Sequence, residues 1–238
     1  YKNTRIISAR GGAMRICIPV PAGSNAAALK KMAEIYPRAD IMELRIDRIR
    51  NVNLPGLLAA KKREVIVTNR RSAEGGGFKG SEEDRVELLK QAVRFGADYV
   101  DVEARTDRKL INELLGEIRK QGRFTKAILS WHDFSGTPEP GELHNILRKC
   151  ALNEGIIKIA TMANEPEDNL NVLGLIPEAK KMNREIIAFC MGEKGRLSRI
   201  AAPVLGSYLS YASLEKGAES APGQLTVEEM KRVLKVLC

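Results

Sequence analysis

Two side chains in this sequence stand where covalent and proton-transfer chemistry is feasible. Lys158 interrupts the apolar run IIKIAT (156–161), and His132 follows the apolar run KAILSW (126–131). An isolated ammonium in an apolar interior is costly, so a lysine placed there pairs, neutralises or reaches water. Its ordinary fate is a strand-end residue whose stem lies on apolar surface while its head reaches solvent. The alternative is an amine whose proton affinity is lowered for nucleophilic attack. Such an amine condenses with a ketone to an iminium, which acidifies the adjacent carbon. A neighbouring imidazole can then remove that proton and later protonate a leaving group. This chemistry requires no metal or organic cofactor. His132 taken alone is equally compatible with capping a strand or bonding a carbonyl, so both readings stand.

The ends of other apolar runs supply a short list of polar partners: Glu43, Arg45, Arg70, Glu103, Met191 and Ser213. In DIMELRID (40–47), Glu43, Arg45 and Asp47 fall on one strand face and Met42, Leu44 and Ile46 on the other. In DYVDVE (98–103), Asp101 and Glu103 oppose Val100 and Val102. Arg45 and Arg70 are equally open to a structural reading, as ion-pair partners of Glu43 and Glu74. Ser220 and Gln224 in ESAPGQL are open to reading as loop polar groups around a Pro-Gly turn. His144, in the helical GELHNILRK, is assigned no role.

The elements that must position these residues follow from periodicity. Strands are expected at 15–20, 40–46, 64–68, 98–103, 126–131, 156–161, 185–191 and 207–213. Amphipathic stretches separate them. In 81–96, Val86, Leu89 and Val93 recur at helical spacing, Ser81 and Asp84 mark a start, and Gly96 suits an end. Near the C-terminus, Thr226 precedes Val227, Met230, Val233, Leu234 and Leu237, a second helix with a plausible cap. Strand–helix alternation predicts an α/β protein with a parallel sheet, and eight repeats in about 225 residues predict a single (β/α)8 TIM barrel. Polar residues at the C-terminal ends of strands are where such barrels place chemistry.

GGGFKG (75–80) matches G-x-G-x-x-G, but NRRSAE separates it from the strand, and Glu74 would put an anion beside the phosphates. A dinucleotide fingerprint needs its glycines in the tight turn itself. The segment is read instead as a glycine-rich loop that closes over a site.

Composition narrows the function classes. The chain has 238 residues, 44% hydrophobic and 29% charged, with a formal net charge of +9. Its basic residues are scattered and aromatics are only 5%, which is poor for base stacking and predicts no nucleic-acid role. A small anion suits such a surface. No run approaches the roughly 20 apolar residues of a membrane span. Residues 1–13, with Lys2, Arg5 and Arg10 and no acidic residue, are expected to be an extension, frayed or foreign to the fold. Met14 opens the domain 14–238. The four cysteines show no C-x-x-C pairing, and Cys17 and Cys190 lie in apolar runs, which suits a reducing cytoplasm. With only two histidines and no clustered ligands, no metal site is expected. The oligomeric state stays open, with a homodimer among the expectations.

Taken in order, the motifs resemble one family, the type I 3-dehydroquinate dehydratases of the shikimate pathway. MELRID resembles its E-x-R-x-D, NRRSAEGG its R-x-x-x-E-G-G, SWHDF its S-x-H-D-F and KIATM its K-I-A-x-M. MGEKGRLSR and SAPGQ complete the set. The resemblance implies Lys158 as the Schiff-base lysine, His132 as the general acid/base and Glu74 as the residue that orients His132. It implies Glu43, Arg45 and Arg70 at the substrate hydroxyls, and Arg199, Ser220 and Gln224 at its carboxylate. Met191 would line the site, and Asp101 and Glu103 would support Arg45, Arg70 or Lys158. The implied substrate is 3-dehydroquinate, with no cofactor. The chain departs from the pattern at Leu44, where members often carry an aromatic residue, and at Phe189, where many carry methionine. Pro19 and Pro21 leave the first-strand contact unassigned. A class I aldolase on the same barrel and a non-catalytic basic binding module are the competing readings.

Overall fold

Stretches rich in Val, Ile and Leu set the strands, because such side chains suit a sheet covered on both faces. The computed structural model describes residues 14–122 and 125–238, so the expected extension at 1–13 lies outside the described residues. The strands are β1 (Ile16–Val20), β2 (Ile41–Arg45), β3 (Glu64–Thr68), β4 (Tyr99–Glu103), β5 (Lys126–Asp133), β6 (Ile156–Met162), β7 (Ile186–Met191) and β8 (Ser210–Tyr211). The helices are α1 (Asn25–Ile35), α2 (Leu54–Ala59), α3 (Glu82–Arg94), α4 (Arg108–Lys120), α5 (Pro140–Ala151), α6 (Asp168–Lys181), α7 (Arg196–Leu205) and α8 (Val227–Leu237). The sheet order is β7-β6-β5-β4-β3-β2-β1-β8, with β1 and β8 parallel. From β1 to β7 each strand lies beside its neighbour in sequence, β8 pairs with β1, and a helix follows each strand. This is the connectivity of a (β/α)8 barrel.

Two compact units make up the chain, one spanning Pro19–Trp131 and the other combining the residues up to Ile18 with His132–Cys238. In the first, Leu44, Ile66, Val67 and Val100 on the strands are buried, as are Leu57, Leu89 and Leu114 on the helices. In the second, Ile157, Ile159 and Ile187 are buried, as are Val172, Ile176, Ala202, Met230 and Leu234. Each Val, Leu, Ile or Met among them contributes roughly 1.5–3 kcal/mol relative to exposure.

Helix boundaries follow local chemistry. The Ser81 hydroxyl accepts from the Asp84 amide at 3.0 Å, and Glu82, Glu83 and Asp84 complement the positive end of α3. Gly96 takes a φ of 86° just past its end, where a side chain would be strained. Thr226 and Glu229 form a reciprocal capping box at α8.

Two elements differ from the expected strands. β2 stops at Arg45, and Asp47 enters a 3-10 turn over Ile46–Arg48, so it does not share a strand face with Glu43. The eighth ladder holds only Ser210 and Tyr211. The Tyr208 amide bonds the Ile186 carbonyl at 2.7 Å and the Ser213 amide bonds that of Leu225 at 2.9 Å. Backbone donors committed elsewhere cannot extend a ladder.

Candidate active site

In the unit 19–131, the predicted residues gather around Arg70, just beyond β3. Its guanidinium lies 2.8 Å from Asp101 Oδ1 and 3.2 Å from Glu103 Oε1, both carried by β4. It also donates to Ser130 Oγ at 2.6 Å, and Ser130 in turn donates to Asp101 at 2.6 Å. Burial alone would weaken the Arg70 charge. The carboxylates of Asp101, Glu103, Glu43 and Glu74 outweigh it and hold the guanidinium above its ordinary range. Asp101 and Glu103 therefore brace Arg70, with Glu74 adding to the same field. Arg45 makes a two-pronged pair with Asp47, at 2.9 Å in both bonds, and the Glu43 charge also favours its ionised form. Glu43 is buried and accepts from Thr68 Oγ1 at 2.8 Å.

Glu103 is shared, and its second partner is one that sequence patterns missed. Arg85, on α3, is fully buried and donates to Glu103 Oε2, to Thr106 Oγ1 at 2.6 Å and to Glu82 at 2.9 Å and 3.0 Å. A guanidinium on the core side of an amphipathic helix looks like any surface arginine in a sequence. Glu103 on β4, with Glu82 and Thr106, offsets the cost of burying that charge.

Glu74 closes a 3-10 turn over Ser72–Glu74 and is 3% exposed, with the Arg105 guanidinium 3.5 Å away. Burial pushes its carboxyl above the ordinary range, and Glu103 and Asp101 add to the rise against the pull of Arg70 and Arg105. The glycines that follow serve close approach. Gly75 has a φ of 75°, and a Cβ on Gly76 would overlap the Arg70 carbonyl. The Gly77 amide bonds Asp47 at 2.9 Å. Residues 75–77 thus form a turn that holds Glu74 close to Arg70.

In the second unit, Lys158 lies on β6 and is 4% exposed. Its Nζ donates to the Tyr211 hydroxyl at 3.1 Å and sits 4.7 Å from the centre of that ring. Burial excludes the reading of Lys158 as a strand-end lysine reaching solvent. His132, on β5, is 9% exposed and stacks on Phe134 at 6.2 Å. Met191 ends β7 and is buried in register with Met162.

Arg199, on α7, is fully buried over the Phe189 ring at 4.6 Å. One nitrogen donates to the Pro222 carbonyl at 3.3 Å. Among the described residues, Nε and Nη1 have no hydrogen-bond partner. Burial draws this guanidinium down to about 10. Buried, unsatisfied donors on a cation are costly, and they suit an anion with two oxygens. Gln224 and Ser220 hydrogen-bond each other across the Pro-Gly turn at 2.9 Å and 3.0 Å. The turn is docked on the strand end by the Gly192 amide, which donates to Pro222 at 3.0 Å. A Cβ on Gly223 would strike the Gly192 carbonyl, so that approach needs glycine. The bond from Arg199 to Pro222 joins this guanidinium to the 220–224 turn.

Residues 16–238 match a family model described as Type I 3-dehydroquinase. A 3-dehydroquinate dehydratase of Methanococcus maripaludis strain C5 is 40% identical over 223 residues, which cover 93% of this chain and 99% of the relative. Among solved structures, the 3-dehydroquinate dehydratase of Geobacillus kaustophilus has a TM-score of 0.87 at 27% identity, covering 95% of this chain and 92% of that one. The type I enzyme of Clostridium difficile, solved with covalently modified comenic acid, has a TM-score of 0.85 at 29% identity, with 94% and 92% covered.

Proposed function

Because the chain belongs to the type I 3-dehydroquinase family, a family of carbon–oxygen lyases that dehydrate 3-dehydroquinate, we propose that it works through an imine on Lys158 with His132 as acid and base. The observation that carries this reading is the burial of the Lys158 amine against a hydroxyl. An amine kept from bulk water is a nucleophile waiting for a carbonyl. In the proposed sequence the Lys158 nitrogen adds to the C3 ketone and water leaves to give the imine. His132 takes a C2 proton, leaving an enamine. The C1 hydroxyl then departs as water with the proton that His132 returns, and hydrolysis of the imine frees 3-dehydroshikimate. Every step moves protons or makes and breaks C–N and C–O bonds, so none calls for a redox cofactor.

The remaining roles follow the chemistry of the side chains. Arg199, with Ser220 and Gln224, receives the substrate carboxylate, and Met191 lines the site. Glu43, Arg45 and Arg70 hold hydroxyls, with Asp101 and Glu103 bracing Arg70. Glu74 fixes the tautomer of His132. Incubation with 3-dehydroquinate tests the reading: the conjugated enone of the product should appear. Carbon–carbon cleavage would favour the aldolase. Binding of nucleic acid that falls steeply with salt, with no turnover, would favour the binding module. No described helix is long and apolar enough to cross a membrane, and we place this metabolic step in the cytoplasm.

Arg199→Ala should mainly weaken substrate capture, because it removes a carboxylate partner and leaves the amine in place. A rise of tenfold or more in the half-saturating concentration corresponds to about 1.4 kcal/mol. An unchanged value would put the carboxylate elsewhere. In the parent, capture should also weaken as pH rises through about 10, where the buried guanidinium loses its charge.

Glu74 gives a pH test. A carboxyl held above its ordinary range keeps its proton to higher pH than a free glutamate, so the ionised form that orients His132 is lost early on acidification. The acid limb of kcat should fall as pH drops through that raised value. Glu74→Gln should lower kcat and remove the Glu74 component of the limb. An identical acid limb in the variant would take Glu74 out of the mechanism.

A further inference from the structure

Resting on the imine reading, we propose that Tyr211 is a further catalytic residue, a phenol that relays a proton from the Lys158 nitrogen to the substrate oxygen during imine formation. Tyr211 is 4% exposed on β8, and its hydroxyl oxygen is 3.1 Å from Lys158 Nζ. Nζ is nearer to that oxygen than to the ring centre, at 4.7 Å, so the contact is a hydrogen bond at the edge of the ring. The two residues come from different strands, and β8 consists of little more than this one position and Ser210. The backbone of β8 is pinned by its ladder to β1, where Cys17 pairs with Tyr211 in register. The ring is held as well, with Phe189 5.8 Å away at a tilt of 56°. A hydroxyl fixed at both ring and backbone points at the reacting nitrogen.

The chemistry needs such a group. When the neutral amine adds to a ketone, the new C–N bond leaves the nitrogen with one proton too many and the oxygen as an alkoxide. The nitrogen and oxygen on one carbon are too close for a good direct transfer. A phenol beside the nitrogen can accept the N–H proton at its oxygen while handing its own O–H proton to the alkoxide. One proton moves from nitrogen to oxygen, the neutral carbinolamine results, and the phenol is regenerated. A second proton is needed to expel water from that carbinolamine, and the general acid already assigned supplies it. The phenol therefore acts before the C2 proton is touched, at a step separable from the one assigned to His132.

Tyr211→Phe deletes one oxygen and keeps the ring against Phe189, so packing survives and only the relay is lost. The decisive measurement is the rate of imine formation, followed by quenching single turnovers with borohydride and weighing the adduct. It is made with His132 in place, so that the acid which expels water from the carbinolamine is present. Tyr211→Phe should slow adduct formation by about tenfold or more. Its melting temperature and its affinity for the product should stay close to parental, since Tyr211 is not placed at the carboxylate. Equal rates of trapping with and without the hydroxyl would overturn the relay and leave the imine reading intact. No trapping in the parent itself would overturn the imine reading, and the relay with it. A loss of product affinity equal to the loss of rate would assign Tyr211 to packing and also overturn the proposal.

Discussion

Borohydride added during turnover is expected to lock the substrate skeleton onto the protein at Lys158. Reduction converts a transient imine into a stable secondary amine, so the label marks the nitrogen that attacked. Peptide mass mapping should place the adduct within residues 153–165. Lys149, on the exposed face of α5, and Lys180, which donates to the Leu205 carbonyl at 2.8 Å, should stay unmodified. Both have ready access to reagent, so selectivity for the buried amine would separate catalysis from general amine modification. Labelling should require the ketone substrate. Lys158→Ala should take no label and lose nearly all activity, because the covalent electron sink has no substitute. A folded sample that binds 3-dehydroquinate yet fails to trap it would sink the imine mechanism.

His132→Ala is expected to abolish measurable turnover while part of the imine formation at Lys158 survives. Acid/base catalysis by a placed imidazole is worth about 10²- to 10⁴-fold, and in the proposed sequence one ring serves two successive transfers. Losing both should leave the imine as the species that accumulates. The variant should therefore still trap with borohydride, and exchange of the C2 hydrogen with deuterated solvent should stop. Near-parental turnover, or C2 exchange at the parental rate, would assign the proton to another group. A melting temperature close to parental would show that the variant keeps its fold, so that the lost turnover reports on the imidazole.

The alternation of apolar runs with amphipathic stretches determined the fold class, since each repeat is written in local periodicity and needs no knowledge of its neighbours. Ser81, Gly96 and Thr226 marked helix ends for the same reason: a cap satisfies groups within one turn of itself. The proposed catalytic pair showed in the sequence as a conflict, a lysine and a histidine beside apolar runs, where burial is costly.

What the tertiary structure decided were partnerships between strands and helices distant in sequence. Arg70 could be paired on paper with Glu74, but Asp101 and Glu103 on β4 reach it first. The alternation in DIMELRID suggested a wet face through Asp47, and the chain instead turns after Arg45 so that Asp47 can grip that arginine. Only folding brings Gly76 against the Arg70 carbonyl, a close approach that the run of glycines does not itself announce. Arg85 and Tyr211 carried no signal at all. An arginine in a helix and a tyrosine in a strand are ordinary residues until the fold sets Arg85 on Glu103 and Tyr211 on Lys158. Period and capping are local and survive in a string of letters. Charge pairing depends on distance through space, falls off within a few ångströms, and exists only once the strands are side by side.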